Sequence, residues 1–166
     1  MGKAIGRTKQ VWKFVHRDAN GNILWQKEVI NALADEGERD ILGVYYRGET
    51  APTQFYIRLY NDTPVETDTL ADLVGEPAGN GYAPQLVERS SVGFPTVQQD
   101  ASGDWQVVSK TVTFSASGGS IGPVTYAVLA TSSDNTGKLI AFVALSQSRT
   151  LADGESLDVT LTITQQ

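Results

Sequence analysis

The side chains that could do chemistry are few. The chain has one histidine, His16, and no cysteine. Disulfides and thiolate metal sites are therefore excluded. A catalytic zinc ion would have to rest almost wholly on carboxylates, which is unusual for zinc. His16 falls on a β-prone run and reads as a packed or solvent-facing side chain rather than as the base of a Ser-His-Asp arrangement. Asp62, Glu66, Asp68 and Asp72 crowd into eleven residues. A glycosidase would need two such groups across a cleft, and a calcium loop would need glycine-centred EF-hand spacing, which is missing. A solvated face explains them more simply. The Gly-Ser stretch at 117–122 is followed by no Gly-Lys-Ser or Gly-Lys-Thr and opens no helix, so it does not cradle phosphate. Trp12, Trp25 and Trp105 are either core aromatics or stacking platforms for a carbohydrate. No catalytic, cofactor-binding or metal-binding residue is assigned, and the sequence is read as that of a non-enzyme.

The elements that must carry these residues are mostly strands. Residues 123–130, 138–145 and 157–164 read as three consecutive strands with turn-forming residues between them. In the last, Leu157, Val159, Leu161 and Ile163 share one face and Asp158, Thr160, Thr162 and Thr164 the other. The middle one is apolar on both faces, so both need cover. The three are expected to form one core sheet. Upstream, Val11–His16 and Ile23–Val29 flank Asp18-Ala19-Asn20-Gly21-Asn22, whose Asn-Gly is a strong hairpin signal. That pairing is expected to set Trp12 near Trp25. Ile30, Leu33, Ala34, Gly37, Ile41, Val44 and Tyr45 recur at helical spacing. They predict a helix near residues 32–46, capped by Asn31, acidic in its first turn and closed by Gly48. Gly37 weakens it by about 1 kcal/mol against alanine, which points to a close contact or a kink. Phe55, Ile57 and Leu59 alternate with polar neighbours in a further strand. Pro84 confines the strand from Tyr82 to Arg89 to an edge or a bulge. Trp105–Phe114 changes phase near Val108-Ser109, as a bulge would. Long loops fill 61–81, 90–104 and 115–122. The sum is eight or nine strands and one helix, without βαβ rhythm or repeat: a mainly β, antiparallel sandwich or jelly-roll-like domain over 11–166, preceded by a basic extended arm at 1–10.

Charge narrows the partners. The net charge is −6. Residues 1–30 carry six basic groups against two acidic, and the remainder seven against seventeen. The body should repel nucleic acid; the basic arm could touch nucleic acid or dock on an acidic protein surface, and the second reading is favoured. No apolar run approaches the ~20 residues of a membrane span, and no apolar stretch after the basic start suggests a signal peptide, so no membrane partner is expected.

Gly79-Asn80-Gly81-Tyr82-Ala83-Pro84-Gln85-Leu86, then Trp105–Phe114, Tyr126–Thr131 and Ala144–Glu155 follow one another in an order that resembles small structural proteins encoded among the head and tail genes of tailed bacteriophages. The similarity spans roughly residues 50–164. It implies a virion protein made in the host cytoplasm. In that group, cysteine-poor β proteins of this size look like capsid decoration, or cement, proteins. Such a protein binds the outer surface of an HK97-like shell and stabilises it, with the major capsid protein and copies of itself, often three, as partners. The hairpin and helix at 11–47 lie outside that pattern. They leave open a tail, connector or head-fibre role, and a carbohydrate-binding sandwich remains a further alternative. Partner contacts are expected at Lys3, Arg7, Lys9, Tyr82 and Trp105.

Overall fold

The computed structural model describes residues 7–31 and 33–166. Along the described residues run β1 (Thr8–Arg17), β2 (Ile23–Asn31), α1 (Asp35–Arg47), β3 (Gln54–Tyr60), β4 (Gln85–Glu88), β5 (Thr96–Gln99), β6 (Trp105–Val108), β7 (Val112–Ser115), β8 (Ile121–Ala130), β9 (Leu139–Leu151) and β10 (Ser156–Gln165). They make two antiparallel sheets. The first has the order β2-β1-β10-β6-β5, with β7 also pairing β10; the second has the order β4-β3-β8-β9. Inward side chains of both meet in one core, with Trp12, Phe14, Val159 and Leu161 from the first sheet facing Ile57, Leu59, Leu129 and Val143 from the second. Each such side chain contributes about 1.5–3 kcal/mol by leaving water. The protein is a mainly β sandwich with one helix.

One expected pairing is different. β8 and β9 pair as the sequence suggests, but β10 leaves them and joins β1 in the other sheet. The β9–β10 turn is held to the β7–β8 loop by Gly154 N donating to Ala116 O and Ala116 N donating to Glu155 O, both at 2.9 Å. That anchoring carries the chain across the sandwich. Alternation in β10 dictates an apolar face but not which neighbours complete its backbone ladder. Cover for β9 is found on both sides: the main core on one, and on the other a second cluster in which Leu139 meets Ala34, Tyr60, Leu70 and Leu73.

The hairpin forms around Asp18, whose carboxylate accepts from the backbone N–H of Asn20 and of Asn22, each at 2.9 Å. Trp12 lies opposite Val29, and Trp25 opposite His16. The two indoles do not touch across the pair; Phe14 stands between them, with ring centroids 6.4 Å from Trp12 and 6.3 Å from Trp25. β1 begins at Thr8, three residues before the expected start, and Lys3 with the rest of the arm's first six residues lies outside the described residues.

α1 starts later than its periodicity suggests. Asn31 belongs to β2, and Leu33 bridges Ala141. The N-cap is Ala34, without a side-chain cap; the acidic first turn and the left-handed Gly48 are as read from sequence. The helix rests on β9 through Gly37, where an added Cβ would come within 2.1 Å of the Ile140 carbonyl oxygen. Backbone contact at a glycine therefore replaces the expected apolar face. Ile41 and Tyr45, assigned to that face, are 42% and 80% exposed.

β6 and β7 are one interrupted line along β10. Val108 pairs with Thr162 and Val112 with Val159, so three residues of the line stand opposite two of β10. Ser109 bridges the break: its N–H donates to Leu161 O at 2.8 Å, and its Oγ accepts from Leu161 N at 2.9 Å. This is the bulge that the phase change marks.

Candidate partner-binding surface

The chemistry-bearing residues are occupied within the fold. His16 is buried on the inner row of β1. Its Nε2 lies 2.8 Å from Glu155 Oε2, and Arg149 Nη2 lies 2.7 Å from its Nδ1. Arginine can only donate, so Nδ1 accepts and, in the neutral ring, Nε2–H donates to Glu155. Glu155 also accepts from Ala152 N at 2.8 Å. That bond, with the one from His16, holds its carboxyl below the ordinary range. In letters, Gly118-Gly119-Ser120-Ile121-Gly122 fits Gly-x-Ser-x-Gly, but it leads from a loop into β8. The nucleophile turn of that pattern leads from a strand into a helix. The crowded carboxylates cap their own loop: Asp62 accepts from Thr63 N and Val74 N, Asp68 from Val65 N, and Asp72 from Thr69 N. Among the described residues no group of three acidic or histidine side chains is placed to hold a metal ion.

Tyr82 is half-buried, stacked on Phe114 at 5.7 Å between centroids. Its hydroxyl accepts from Leu59 N at 3.0 Å and donates to Glu76 Oε1 at 2.8 Å. Burial pushes it well above the ordinary tyrosine value. Glu76 in turn takes both Nε and Nη2 of buried Arg58, which also donates to Asp134 O. Tyr82 thus belongs to a network that fastens two loops to the second sheet.

Basic and apolar side chains are open to a partner at the end of the sandwich where β1 starts and β10 finishes. Arg7 and Lys9 come together with Ile30 and Gln166 around an open groove. Lys9 lies opposite Thr164, and Trp105 opposite the next residue, Gln165. Neighbours on a strand point to opposite faces, so the basic pair and the tryptophan occupy opposite faces of this end. On the inner face, Ile163, Val107 and Val97 form one cross-strand row, and Gln165, Trp105 and Gln99 the next. Facing residues share a side, so both rows run outward from the core. Val97 and Trp105 are 68% and 58% exposed, because the second sheet stops short of them. α1 presents Ile41, Leu42, Tyr45 and Tyr46 to solvent, and Ile41 shares a recess with Ile163 and Gln165 of these two rows.

The family described as podophage GP4 fiber I protein gp80 matches residues 32–165. The chain belongs to this family. It is a structural component of a phage virion. No curated protein matches it. The match to the fiber I family takes in α1, the exposed rows of β5 and β6 and the whole second sheet, and leaves out β1 and β2.

Two features of this end are not plain in the sequence. The outward face of α1 has an apolar spacing that imitates a buried stripe. Gln10 falls within the expected arm, but it is a buried polar residue in the inward row Gln10, Trp12, Phe14, His16. Reading the alternation of β1 back past Val11 exposes it.

Proposed function

We propose that the protein is a non-enzymatic fibre component that joins its virion neighbours through the open end of its sandwich. Membership of the fiber I family supports this reading, and one observation carries it: large apolar side chains cluster in the open at α1 and at the Trp105 row, within the matched span. Contiguous apolar patches on a soluble chain mark interaction sites, and exposed tryptophan and tyrosine are common anchors of such contacts. The major capsid protein, a connector protein and further copies of the chain are the partners this reading names. The decoration role implied by the resemblance is a finer statement that the family description does not make. Trp105→Ala should keep the wild-type circular dichroism and melting temperature, because its indole lies outside the core. It should nonetheless lower the occupancy of the protein on particles, read by co-sedimentation. Full occupancy in a folded variant would sink the proposal. Carbohydrate stacking has one specific support: Trp105 alone of the three tryptophans is exposed, between Gln99 and Gln165. Glycan binding lost in the same variant, with particle occupancy kept, selects that reading instead.

A further inference from the structure

A recess of ≈ 140 Å³ opens under α1 at this same end. Its walls are largely apolar and include Ile41, Phe55, Phe94 and Ile163. Most of its polar side chains have partners. Asp40 is ion-paired with Lys138, and Thr8 Oγ1 accepts from the Gln165 amide at 2.8 Å. Gln10 is the exception. It is fully buried, and neither its Nε2 nor its Oε1 has a partner. An orphaned buried amide carries an uncompensated desolvation penalty, so the site asks for a group that supplies one donor and one acceptor. Because Asp40 and Lys138 balance each other, the group should be neutral. Cavities of about 150 Å³ accept a benzene-sized ring. A phenol meets all three demands. Its hydroxyl can donate to Oε1 and accept from Nε2, and its ring can pack against Phe55 and Phe94.

The helix that roofs the recess carries phenols. Tyr45 and Tyr46 are exposed and touch each other edge to face at 5.0 Å. Ile41 lines the recess, and Tyr45 lies one turn further along the same stripe. If α1 packs antiparallel against α1 of a second copy, about a two-fold axis level with residue 43, each Tyr45 faces Ile41 and the recess of the other. Such a contact closes on itself as an isologous dimer. We propose that the recess is a phenol site completed by Tyr45 of a second copy of this chain, two copies associating by reciprocal insertion beside Gln10.

Sedimentation equilibrium of the full chain tests it. Gln10→Leu and Tyr45→Phe should each weaken dimerisation about tenfold, the scale of one lost hydrogen bond to a buried group. The double variant should lose no more than either single one, since both remove the same contact. Tyr46→Phe should leave association unchanged. p-Cresol should compete with dimerisation and toluene should not. A purely structural Gln10 would not predict the second readout. In dilute solution, where monomer dominates, Gln10→Leu should melt higher than wild type because the orphaned amide is gone, while Tyr45→Phe should melt as wild type does. A wild type that stays monomeric at every concentration leaves the recess to water or another group and overturns the proposal. So do losses that add in the double variant, and so does undiminished association of Gln10→Leu. The inference goes beyond the fibre reading, which is tested on particles; failure of one leaves the other standing.

Discussion

Gly37 decides how α1 meets the sheet. The Ile140 carbonyl stands where its Cβ would be, and that oxygen also accepts from Ala34 N at 2.9 Å. Alanine is the better helix former by about 1 kcal/mol, so an isolated helix would gain from Gly37→Ala. In the folded chain the methyl must push backbone from backbone, and overpacking of this kind costs about 1–3 kcal/mol. Urea unfolding should therefore show Gly37→Ala destabilised despite its propensity. Stability equal to or above wild type would mean that α1 does not rest on β9 here. At the same scale, the surface was legible only in part. Of the aromatic pair named from sequence, Trp105 is exposed while Tyr82 is half-buried in a loop network, a difference that residue type does not reveal. The inward place of Gln10 follows from alternation, but its unpaired amide exists only once Ile163 and α1 close over it.

Local chemistry made most elements readable. The hairpin follows from Asp18 and Gly21, the helix end from Gly48, and the broken strand from a change of phase between Val108 and Val112. What could not be read is which distant elements meet. β10 takes β1 as its neighbour more than a hundred residues away in sequence, and α1 hides glycines and Asp40 while showing its large apolar side chains. Hydrophobic period measures contrast between faces, not which face is covered. Ser109 shows how much the local device matters. With its Oγ removed, Leu161 N, buried in the middle of β10, loses its acceptor. An unsatisfied buried donor costs about 1–3 kcal/mol. Ser109→Ala should lose that much in denaturant unfolding, with faster amide exchange concentrated at Leu161 and its neighbours. Ser109→Thr, which keeps the hydroxyl, should recover most of it. If alanine and threonine behave alike, the hydroxyl is not what holds the bulge.

At the scale of the whole molecule, the turns and loops are tied by carboxylates whose ionised form the fold favours. Asp18 is held below the ordinary range by the Asn22 side chain, Glu49 by Arg39, Asp72 by the Thr69 backbone, Glu88 by Lys110, Asp134 by Thr136 and Glu155 by the Ala152 backbone. Most of these groups are well solvated, so each alone contributes little; their common direction is what counts. In the unfolded chain they protonate near the ordinary values of about 3.9 for Asp and 4.3 for Glu. In the folded chain they protonate lower. Between the two, the unfolded state binds more protons, so stability rises with pH there. The contribution is complete above the ordinary carboxylate values and drains away as pH falls through the depressed native ones. The urea midpoint should therefore hold from pH 7 down to about 5 as far as these groups are concerned, then fall toward pH 3. Replacing Asp18 by Asn and Glu88 by Gln together should flatten that fall, because two of the linked protons are removed. A midpoint that does not move between pH 5 and pH 3 would show that these loops are held by packing alone.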